Sequence, residues 1–407
     1  MGWSGRWRGA VLLGLTLCAA ERVSGQAADP FDPAKLPALQ TSEVVRLGGY
    51  DERPAFTFSS VPAGAVLSEQ QIALVDRQSN QVRLFDLSGN HLRSFGGSGD
   101  GPGEFKFLSA IQPLPGGRLV AWDFQTKRIS VFDLDGAHLR TMTVRVQPMA
   151  LAWTQFVGAF PDGSVVLRSD PSVMALRNEP DGYRRESTDF LRYSPDQDRP
   201  DTLCAVQGPE KYLYHQDRSW DLEDRLFERE VVGAVMGDTL LCGSTASLDL
   251  RRVSMSDPEL SNLAYDRPAR GVSDAEVEQE RKRLIDQAKA RQERRGRAMA
   301  QALGAFAGGG SVELDRLSRK EAYETRPAFR SIRAGSDGEL WIEDYPSPTD
   351  SQVRWILLVE GEPIGWLEVG AQETVLAFGH GLLLKRVQDE LDVQSVVVQH
   401  VAAPKPN

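Results

Sequence analysis

The chain has few of the residues from which many functional sites are built. Only 3 of its 407 residues are cysteine, which excludes a scaffold of several disulfides. The 5 histidines are His91, His138, His215, His380 and His400. No two of them stand at the spacing of a zinc-protease motif. Positive charge is also scarce: the net charge is −10, so the sequence lacks the basic surface typical of nucleic-acid binders.

The first 27 residues predict a secretory signal peptide. Arg6 and Arg8 precede an apolar run at 10–20, and small residues follow near position 27. This run is too short to cross a bilayer, and no later apolar run approaches the length of about 18 residues that would be needed. We therefore expect a periplasmic or secreted protein.

The three cysteines leave two questions open. A lipid anchor on Cys18 is the less favoured alternative to cleavage, because Leu17 stands where a small residue normally precedes the lipidated cysteine. In an exported protein, Cys204 and Cys242 could form one disulfide. They could equally be two separate buried thiols, because pairing depends on a distance that the sequence does not give.

The body of the chain repeats itself. Residues 72–95 and 119–142 match with a constant offset of 47. The matched pairs are Asp76 and Asp123, Phe85 and Phe132, Asp86 and Asp133, Gly89 and Gly136, His91 and His138, and Arg93 and Arg140. Each unit reads as short strands separated by turns, and such a period is typical of β-propeller blades.

We predict an all-β, six-bladed β-propeller over residues 43–402. The expected blades are 57–96, 105–145, 150–206, 227–262, 329–369 and 374–402. The last unit has only three strand-like segments, so the N-terminal strand at 43–48 should complete it and remove an open sheet edge. Residues 28–42 would then be a linker and 403–407 a tail.

A second repeated element lies between blades. Tyr50–Phe56 and Tyr323–Phe329 share five of seven residues. Arg53 and Arg326 recur in these inter-blade peptides and could bind an anionic ligand by two-pronged contacts, with Tyr50 and Tyr323 beside them. The alternative is that both arginines brace neighbouring blades.

The glycine-rich run at 96–103 lacks the lysine and the following helix of a phosphate-binding loop. It is better interpreted as an inter-blade turn, where glycine allows a positive φ. Together with the segments GDGPGEF, GGRLVAWD and RISVFDLDG, this run resembles the NHL repeat. The body resembles exported six-bladed propeller proteins of Gram-negative bacteria. The resemblance implies ligand or protein binding more than a settled activity, and distant relatives include metal-dependent lactonases and lyases.

Two segments interrupt the repeats. Residues 207–229 mix aromatic and charged side chains, among them His215 and Trp220, which could line a binding mouth or simply pack a crossover onto the ring. Residues 273–306 predict one inserted helix between blades 4 and 5, beginning with a capping box. Its basic stretch, 281–297, could contact an anionic membrane surface or an acidic partner; otherwise the helix is solvated.

The alternative to a binding protein is an enzyme that uses a bound hard cation such as Ca²⁺. Glu52, Glu104 and Glu324 lie at or near repeated positions and could offer oxygens to Ca²⁺. Residues that recur in every blade usually serve the fold, however. Asp76, Asp123 and Asp344 are likewise interpreted as turn formers.

The sequence thus favours an exported, non-enzymatic propeller that binds a protein or a small anionic ligand, without cofactor or nucleic acid and as a monomer. The alternative is a Ca²⁺-dependent hydrolase of the lactonase or esterase type, with its site at the propeller axis.

Overall fold

The structure is a computed structural model that describes residues 29–145, 153–170, 176–197, 199–216, 219–303 and 311–402. The predicted signal peptide at 1–27, including Cys18, and the predicted tail at 403–407 lie outside these residues. Within them the strands form six antiparallel sheets, one for each predicted blade. The predicted fold class is confirmed.

The strands follow the blades in chain order after β1 (Gln40–Gly48). Blade 1 consists of β2 (Gly64–Ser68), β3 (Gln71–Asp76), β4 (Gln81–Asp86) and β5 (His91–Gly96). Blade 2 consists of β6 (Leu108–Leu114), β7 (Arg118–Asp123), β8 (Arg128–Asp133) and β9 (His138–Thr143). Blade 3 consists of β10 (Trp153–Ala159), β11 (Val165–Asp170), β12 (Gly182–Tyr193), β13 (Asp201–Gln216) and β14 (Ser219–Glu223).

The second half of the chain contains the other three blades. Blade 4 consists of β15 (Val231–Met236), β16 (Thr239–Ser244), β17 (Leu248–Ser254) and β18 (Leu263–Tyr265). Helices α1 (Asp274–Leu303) and α2 (Ser311–Arg319) follow it. Blade 5 consists of β19 (Ser331–Ala334), β20 (Leu340–Glu343), β21 (Gln352–Val359) and β22 (Glu362–Gly370). Blade 6 consists of β23 (Thr374–Gly379), β24 (Leu382–Gln388), β25 (Gln394–Ala402) and β1.

Strand β1 closes the ring as predicted. It pairs antiparallel with β25, from Gln40 opposite Ala402 to Gly48 opposite Ser395. Leu47 of β1 is buried in the cluster between blades 6 and 1. This exchange covers what would otherwise be an open edge of β25 and ties the ends of the ring together.

The 47-residue repeat is a repeated packing unit. In blade 1 the ring of Phe85 meets His91 at 5.4 Å and Phe56 at 5.3 Å between centroids. In blade 2 the ring of Phe132 meets His138 at 5.5 Å, and Phe105 at 6.0 Å. These aromatic edges hold the outermost strand and the inter-blade peptide onto each sheet.

The glycine-rich run forms the turn between blades 1 and 2. Gly96, Gly97 and Gly103 have φ angles of 86°, 146° and 77°, which other residues rarely adopt. Glu104 accepts a hydrogen bond from the backbone N–H of Gly101 at 2.8 Å, within the same turn.

The predicted aspartate turns hold in two of three cases. Asp76 accepts hydrogen bonds from Ser79, and Asp123 from the backbone N–H groups of Gln125 and Thr126. Asp344 also bonds the backbone N–H of the next residue, but its carboxylate mainly holds Arg267 and Arg270, at 3.1 and 3.0 Å. Its role is to bind an arginine cluster as much as to form a turn.

Blade 3 differs from its prediction. The segment 207–229, expected as a crossover, continues β13 to Gln216 and returns as β14, so this sheet has five strands. Strand β13 runs past the predicted blade end at 206 and carries Tyr212 and Tyr214, aromatic residues that favour strands. Cys204 on β13 and Cys242 on β16 form a disulfide that links blade 3 to blade 4.

The inserted segment holds two helices rather than one. The capping box is present at the start of α1, where the backbone N–H of Ser273 donates to Glu276 at 3.0 Å and the Ser273 hydroxyl accepts from the Glu276 N–H at 3.4 Å. The prediction ended the helical segment at 306, yet α2 begins at Ser311. Arg281 and Arg283 pair with glutamates one turn earlier, as on a solvated helix.

The predicted linker at 28–42 packs onto the ring. Phe31 is buried among residues of blades 4 and 5. Asp29 binds Arg267 at 3.0 Å between carboxylate and guanidinium. The arginine is thereby held from two sides, by Asp29 and by Asp344.

Candidate functional site

A cavity of about 700 Å³ occupies the propeller axis. Its wall is formed by the innermost strands of all six blades, which are β2, β6, β10, β15, β19 and β23. We call the end where these strands begin the top end and the end where they turn into the second strands the bottom end. Most wall residues are small or apolar, so the few charged side chains decide what the cavity can bind.

Arg333 is the most isolated cation of the wall. It lies on β19, is half-buried, and donates one hydrogen bond, at 3.4 Å, to the carbonyl of Leu376 on the neighbouring blade. Burial lowers the pKa of its guanidinium, against the opposite effect of Glu343. It forms no ion pair with any carboxylate in the described parts of the chain.

Arg168 is the second wall cation, and it is better satisfied. Its guanidinium pairs with Asp170 at 2.8 Å and donates to the carbonyl of Val231 at 2.6 Å. It therefore joins blade 3 to the start of the innermost strand of blade 4.

Three further cations surround the top end. Arg77 follows β3, Lys127 precedes β8 and Arg386 lies on β24, each beside the start of an innermost strand. Burial lowers the pKa of all three, and the nearby positive charge of Arg386 lowers that of Arg77 further. Across the residues described here, none of the three is ion-paired with a carboxylate.

Aromatic rings and hydroxyl groups hold these cations. Arg77 lies over the ring of Phe107 at 4.3 Å, and Lys127 over that of Phe124 at 3.8 Å. The two rings are 5.9 Å apart, which makes one continuous cation–aromatic surface across blades 1 and 2. Lys127 also donates to Thr154 at 3.0 Å.

Arg386 is held by the backbone. It donates to the carbonyl of Val61 and to the hydroxyl of Thr374, both at 3.0 Å. Each of these contacts uses a neutral acceptor, so no ion pair among the described residues cancels the charge of Arg386. In a low-dielectric channel such a charge attracts anions strongly.

Blades 5 and 6 place an acidic cluster at the bottom end. Asp337 accepts hydrogen bonds from both the ring Nδ1 of His380, at 3.0 Å, and its backbone N–H, at 2.9 Å. The bond to Asp337 raises the pKa of His380, while the same contact lowers the pKa of Asp337. Burial raises the pKa of Glu339 beside them.

The predicted ligand residues Tyr50 and Arg53 lie on the surface loop between β1 and β2. Arg53 pairs with Asp51 at 2.6 Å and covers the ring of Phe56 at 3.7 Å. Tyr50 is 70% exposed and donates from its hydroxyl to Asp389 at 2.7 Å. Neither residue lines the axial cavity.

Arg326 and Tyr323 lie beside the helical insertion. Arg326 pairs with Glu276 of the capping box and lines a side pocket of about 330 Å³ that also contains Arg270 and Arg354. Tyr323 lies under the guanidinium of Arg229 at 4.1 Å. The ion pair between Arg326 and Glu276 is the contact of a structural arginine that connects neighbouring segments. A ligand role for Arg326 in the side pocket stays a prediction.

His215 and Trp220 face each other across the β13–β14 hairpin. His215 holds Asp181 at 2.6 Å from its Nδ1, which raises the pKa of the histidine. Trp220 lies under Arg177 at 5.3 Å. The six predicted residues therefore occupy three separate places, and a ligand role for any of them stays a prediction.

The oxygens proposed for calcium are not gathered at the axis. Glu52, Glu104 and Glu324 lie on inter-blade peptides, outside the cavity wall. Within the described ranges, no three histidine, cysteine, aspartate or glutamate side chains are placed to hold a metal ion. The calcium-dependent hydrolase stays a prediction that this geometry does not favour.

The top-end cations were missed by the sequence argument, which looked for repeated residues. Position 124, one period after Arg77, is Phe124, and position 80, one period before Lys127, is Asn80. The pattern that could have revealed these cations is a basic residue close to the end of the second strand in several blades. Its position within the blade differs by a few residues from one blade to the next. Only the three-dimensional ring brings these positions together.

The comparisons with known proteins agree with the strand topology. The DUF5128 family, described as a 6-bladed beta-propeller, matches residues 65–155, which cover most of blades 1 and 2. Among curated proteins, none matches the sequence.

Solved propeller structures are similar at low identity. A member of the DUF4221 family from Bacteroides vulgatus has 10% identity and a TM-score of 0.47 over 91% of this chain and 100% of that one. A candidate exported protein from Bacteroides fragilis has 10% identity and a TM-score of 0.45 over 90% and 96%. The calcium-binding protein regucalcin from Agrobacterium tumefaciens has 11% identity and a TM-score of 0.39 over 86% and 93%. Scores this low carry no argument about function.

In the described part of the chain, neither α1 nor α2 is long and apolar enough to span a bilayer. A peripheral contact through 281–297 stays a prediction.

Proposed function

We propose that this protein is an exported, non-enzymatic binding protein that takes an anionic ligand into its axial channel. The observation that carries the proposal is Arg333, a half-buried guanidinium in the cavity wall without an ion-pair partner among the described residues.

A buried cation without a counterion destabilises a folded protein, and apolar replacements are often more stable. Its presence is explained if a ligand supplies the missing negative charge. A carboxylate or phosphate would accept two parallel hydrogen bonds from the guanidinium, which is the strong and directional contact that arginine offers.

Arg77, Lys127 and Arg386 add long-range attraction. The protein as a whole is acidic, with a net charge of −10, so its overall field repels an anion at long range and a local cluster of cations opposes that repulsion. The cluster would guide an anionic ligand to the top end and raise its association rate at low salt.

Two observations support export. The N-terminal sequence has the pattern of a signal peptide, although it lies outside the described residues. The disulfide between Cys204 and Cys242 is of the kind that persists in oxidising compartments such as the periplasm.

Titration calorimetry with citrate at low ionic strength tests the proposal. We expect saturable binding of one citrate per chain to the wild type and at least about tenfold weaker binding to Arg333→Met. Arg46→Met is the matched control, because Arg46 is an exposed arginine of β1 paired with Glu43. Equal affinity of the wild type and Arg333→Met, or no binding at all, would overturn the proposal.

A further inference from the structure

The innermost strands face the axial cavity with their edges. In the described sheets, each of them lies at the end of its sheet and is paired on one side only. Uninterrupted runs of residues line the cavity at 62–67, 109–115 and 331–336, along β2, β6 and β19. Because successive side chains of a strand point to opposite faces of its sheet, a run without gaps contacts the cavity through its backbone. Backbone N–H and C=O groups therefore border the cavity.

One side chain shows what such an edge binds. Gln112 of β6 lies against Ala159 of β10, the innermost strand of the next blade, and both residues line the cavity. The Nε2 group of Gln112 donates to the carbonyl of Ala159 at 3.1 Å, and its Oε1 accepts from the N–H of Ala159 at 2.9 Å. A primary carboxamide therefore binds both backbone groups of one edge residue at once.

Strand β15 presents the same pair of groups at Gly233. It pairs with β16 without a register shift, and at the next position of this ladder the carbonyl of Glu230 accepts from the N–H of Thr245. Hydrogen-bonded and non-hydrogen-bonded residues alternate along an antiparallel ladder. It follows that Val231, Gly233 and Val235 turn their N–H and C=O groups away from β16.

Gly233 is the open member of this set. The carbonyl of Val231 already accepts from Arg168 at 2.6 Å. Gly233 is half-buried and lines the cavity, and within the described parts of the chain no group is hydrogen-bonded to its outward N–H or C=O. It therefore offers a ligand the pair of groups that Gln112 occupies at Ala159.

Gly233 and Arg333 lie on neighbouring blades at a similar level of the channel. Val232 and Ala234 of β15 belong to the same buried cluster as Ile332 of β19. Gly233 and Arg333 stand beside them on the two strands, and both line the cavity. Among the described residues, the cavity wall contains no aspartate or glutamate. One ligand can therefore contact the cation and the open backbone pair without meeting a negative side chain.

We propose that the ligand of the channel is a monoanion with a primary carboxamide group, which binds through its carboxylate to Arg333 and through its carboxamide to the backbone of Gly233. This inference rests on the proposed function, because it takes the anion site at Arg333 as given. It adds the second group that the ligand must carry.

The chemistry of the open pair selects a carboxamide. A second carboxylate has no hydrogen to donate to the carbonyl of Gly233, and an ammonium group has no lone pair to accept from its N–H. A primary carboxamide has a donor and an acceptor side by side, as the contact of Gln112 with Ala159 shows. Any ligand that leaves one of the two backbone groups unpaired loses affinity.

The probes are succinamate, glutaramate and adipamate, which join a carboxylate to a carboxamide through methylene chains of increasing length. Each is compared by calorimetry with the ketone in which a methyl group replaces the NH₂, namely 4-oxopentanoate, 5-oxohexanoate and 6-oxoheptanoate. We expect the amide of the best-fitting length to bind the full-length protein about tenfold more tightly than its ketone, because the ketone accepts a hydrogen bond and donates none.

The contact at Gly233 is tested by NMR, since a Cβ at this position would lie 2.2 Å from the ring of Phe190 and a side-chain variant would disturb the fold. In protein labelled with ¹³C at valine carbonyls and ¹⁵N at glycine, the Val–Gly pairs give signals of Gly158, Gly233 and Gly370. Val232→Ile identifies the Gly233 signal by removing its label. The best-fitting amide should shift this signal and leave that of Gly370, on the outermost strand β22, unchanged. An unshifted Gly233 signal at saturation would overturn the proposal.

The outcomes separate the two proposals. Arg333→Met should weaken the amide and its ketone by the same factor, whereas the matched control Arg46→Met should keep both affinities. If amide and ketone bind equally, or if neither binds although citrate does, the carboxamide site is wrong and the anion site stands. If Arg333→Met, shown by thermal melting to be folded, binds both as the wild type does, the anion site is wrong, and the carboxamide inference fails with it.

Discussion

At the residue scale, the proposed binding in the axial cavity depends on Arg333, a charged side chain without an ion-pair partner among the described residues. Arg83 shows how the same fold treats a structural arginine: it is 6% exposed, pairs with Asp76 and donates to the carbonyls of Ala55 and Thr57. Arg333 has no such set of acceptors. The difference between the two arginines is the physical basis of the proposed function.

This contrast makes a stability prediction. Arg333→Met should leave the free energy of unfolding unchanged or raise it, because the variant removes a half-buried charge that has no ion-pair partner among the described residues. Arg83→Met should lower it by about 3–5 kcal/mol, because Asp76 is then left buried and unpaired. Urea denaturation of the two variants measures both values. A loss for Arg333→Met as large as for Arg83→Met would mean that Arg333 is a structural residue.

Glu228 makes a prediction about pH. It lies 3.4 Å from Lys211, yet burial outweighs this attraction and raises the pKa of Glu228 to about 8. A carboxyl whose folded pKa is raised stabilises the protein at low pH, and this contribution is lost as the pH rises through about 8.

As the pH rises from about 6 to about 9, Glu228→Gln should therefore become more stable relative to the wild type. These two pH values lie about one to two units on either side of the raised pKa. Chemical denaturation at several pH values measures the difference. A difference that stays constant over this range would contradict the raised pKa.

At the element scale, the ring is closed by strand exchange and by one disulfide. The sequence predicted the partner of β1 correctly, because the short peptide before each inter-blade segment repeats and the last unit lacked a strand. It could not predict the disulfide, since nothing in the spacing of Cys204 and Cys242 shows that β13 and β16 are neighbours.

Leu47 tests the closing strand. It is 1% exposed and packs between blades 6 and 1, so Leu47→Ala should cost about 2–5 kcal/mol of stability. Its exposed neighbour offers the control: Arg46→Ala should change stability by no more than about 0.5 kcal/mol. Similar losses for both variants would show that β1 does not seal the core.

The disulfide can be tested by counting thiols. The full chain has 3 cysteines, so a denatured, unreduced sample should have one reactive thiol, from Cys18, or none if the signal peptide has been removed. The bond closes a loop with a sequence separation of 38. Replacing both cysteines by alanine should therefore cost about 3–4 kcal/mol. Three reactive thiols before reduction would contradict the pairing.

The helical insertion shows where sequence patterns failed. The capping box fixed the start of α1 because its hydrogen bonds are local. The end was predicted at 306 from glycines at 308–310, which lie outside the described residues, and the sequence argument did not predict α2 at Ser311–Arg319. Likewise, the predicted end of blade 3 at 206 came too early, because the fifth strand of this blade has no counterpart in the repeat.

At the scale of the whole molecule, the repeat determines the scaffold and the departures from the repeat determine the candidate site. Residues that recur, such as Phe85 and Phe132, are buried between strands. Lys127 and Arg386, which do not recur, lie beside the starts of innermost strands of two blades, where they donate to Thr154 and Thr374. A search for repeated residues therefore finds the fold and misses the site.

The most direct test of the central claim is to locate bound anions in crystals soaked in sodium iodide, using the anomalous scattering of iodide. The account predicts an iodide ion in the axial channel, in contact with the guanidinium of Arg333, and its loss in crystals of Arg333→Met. A channel without iodide in the wild type, while iodide occupies other surface sites, would contradict the account.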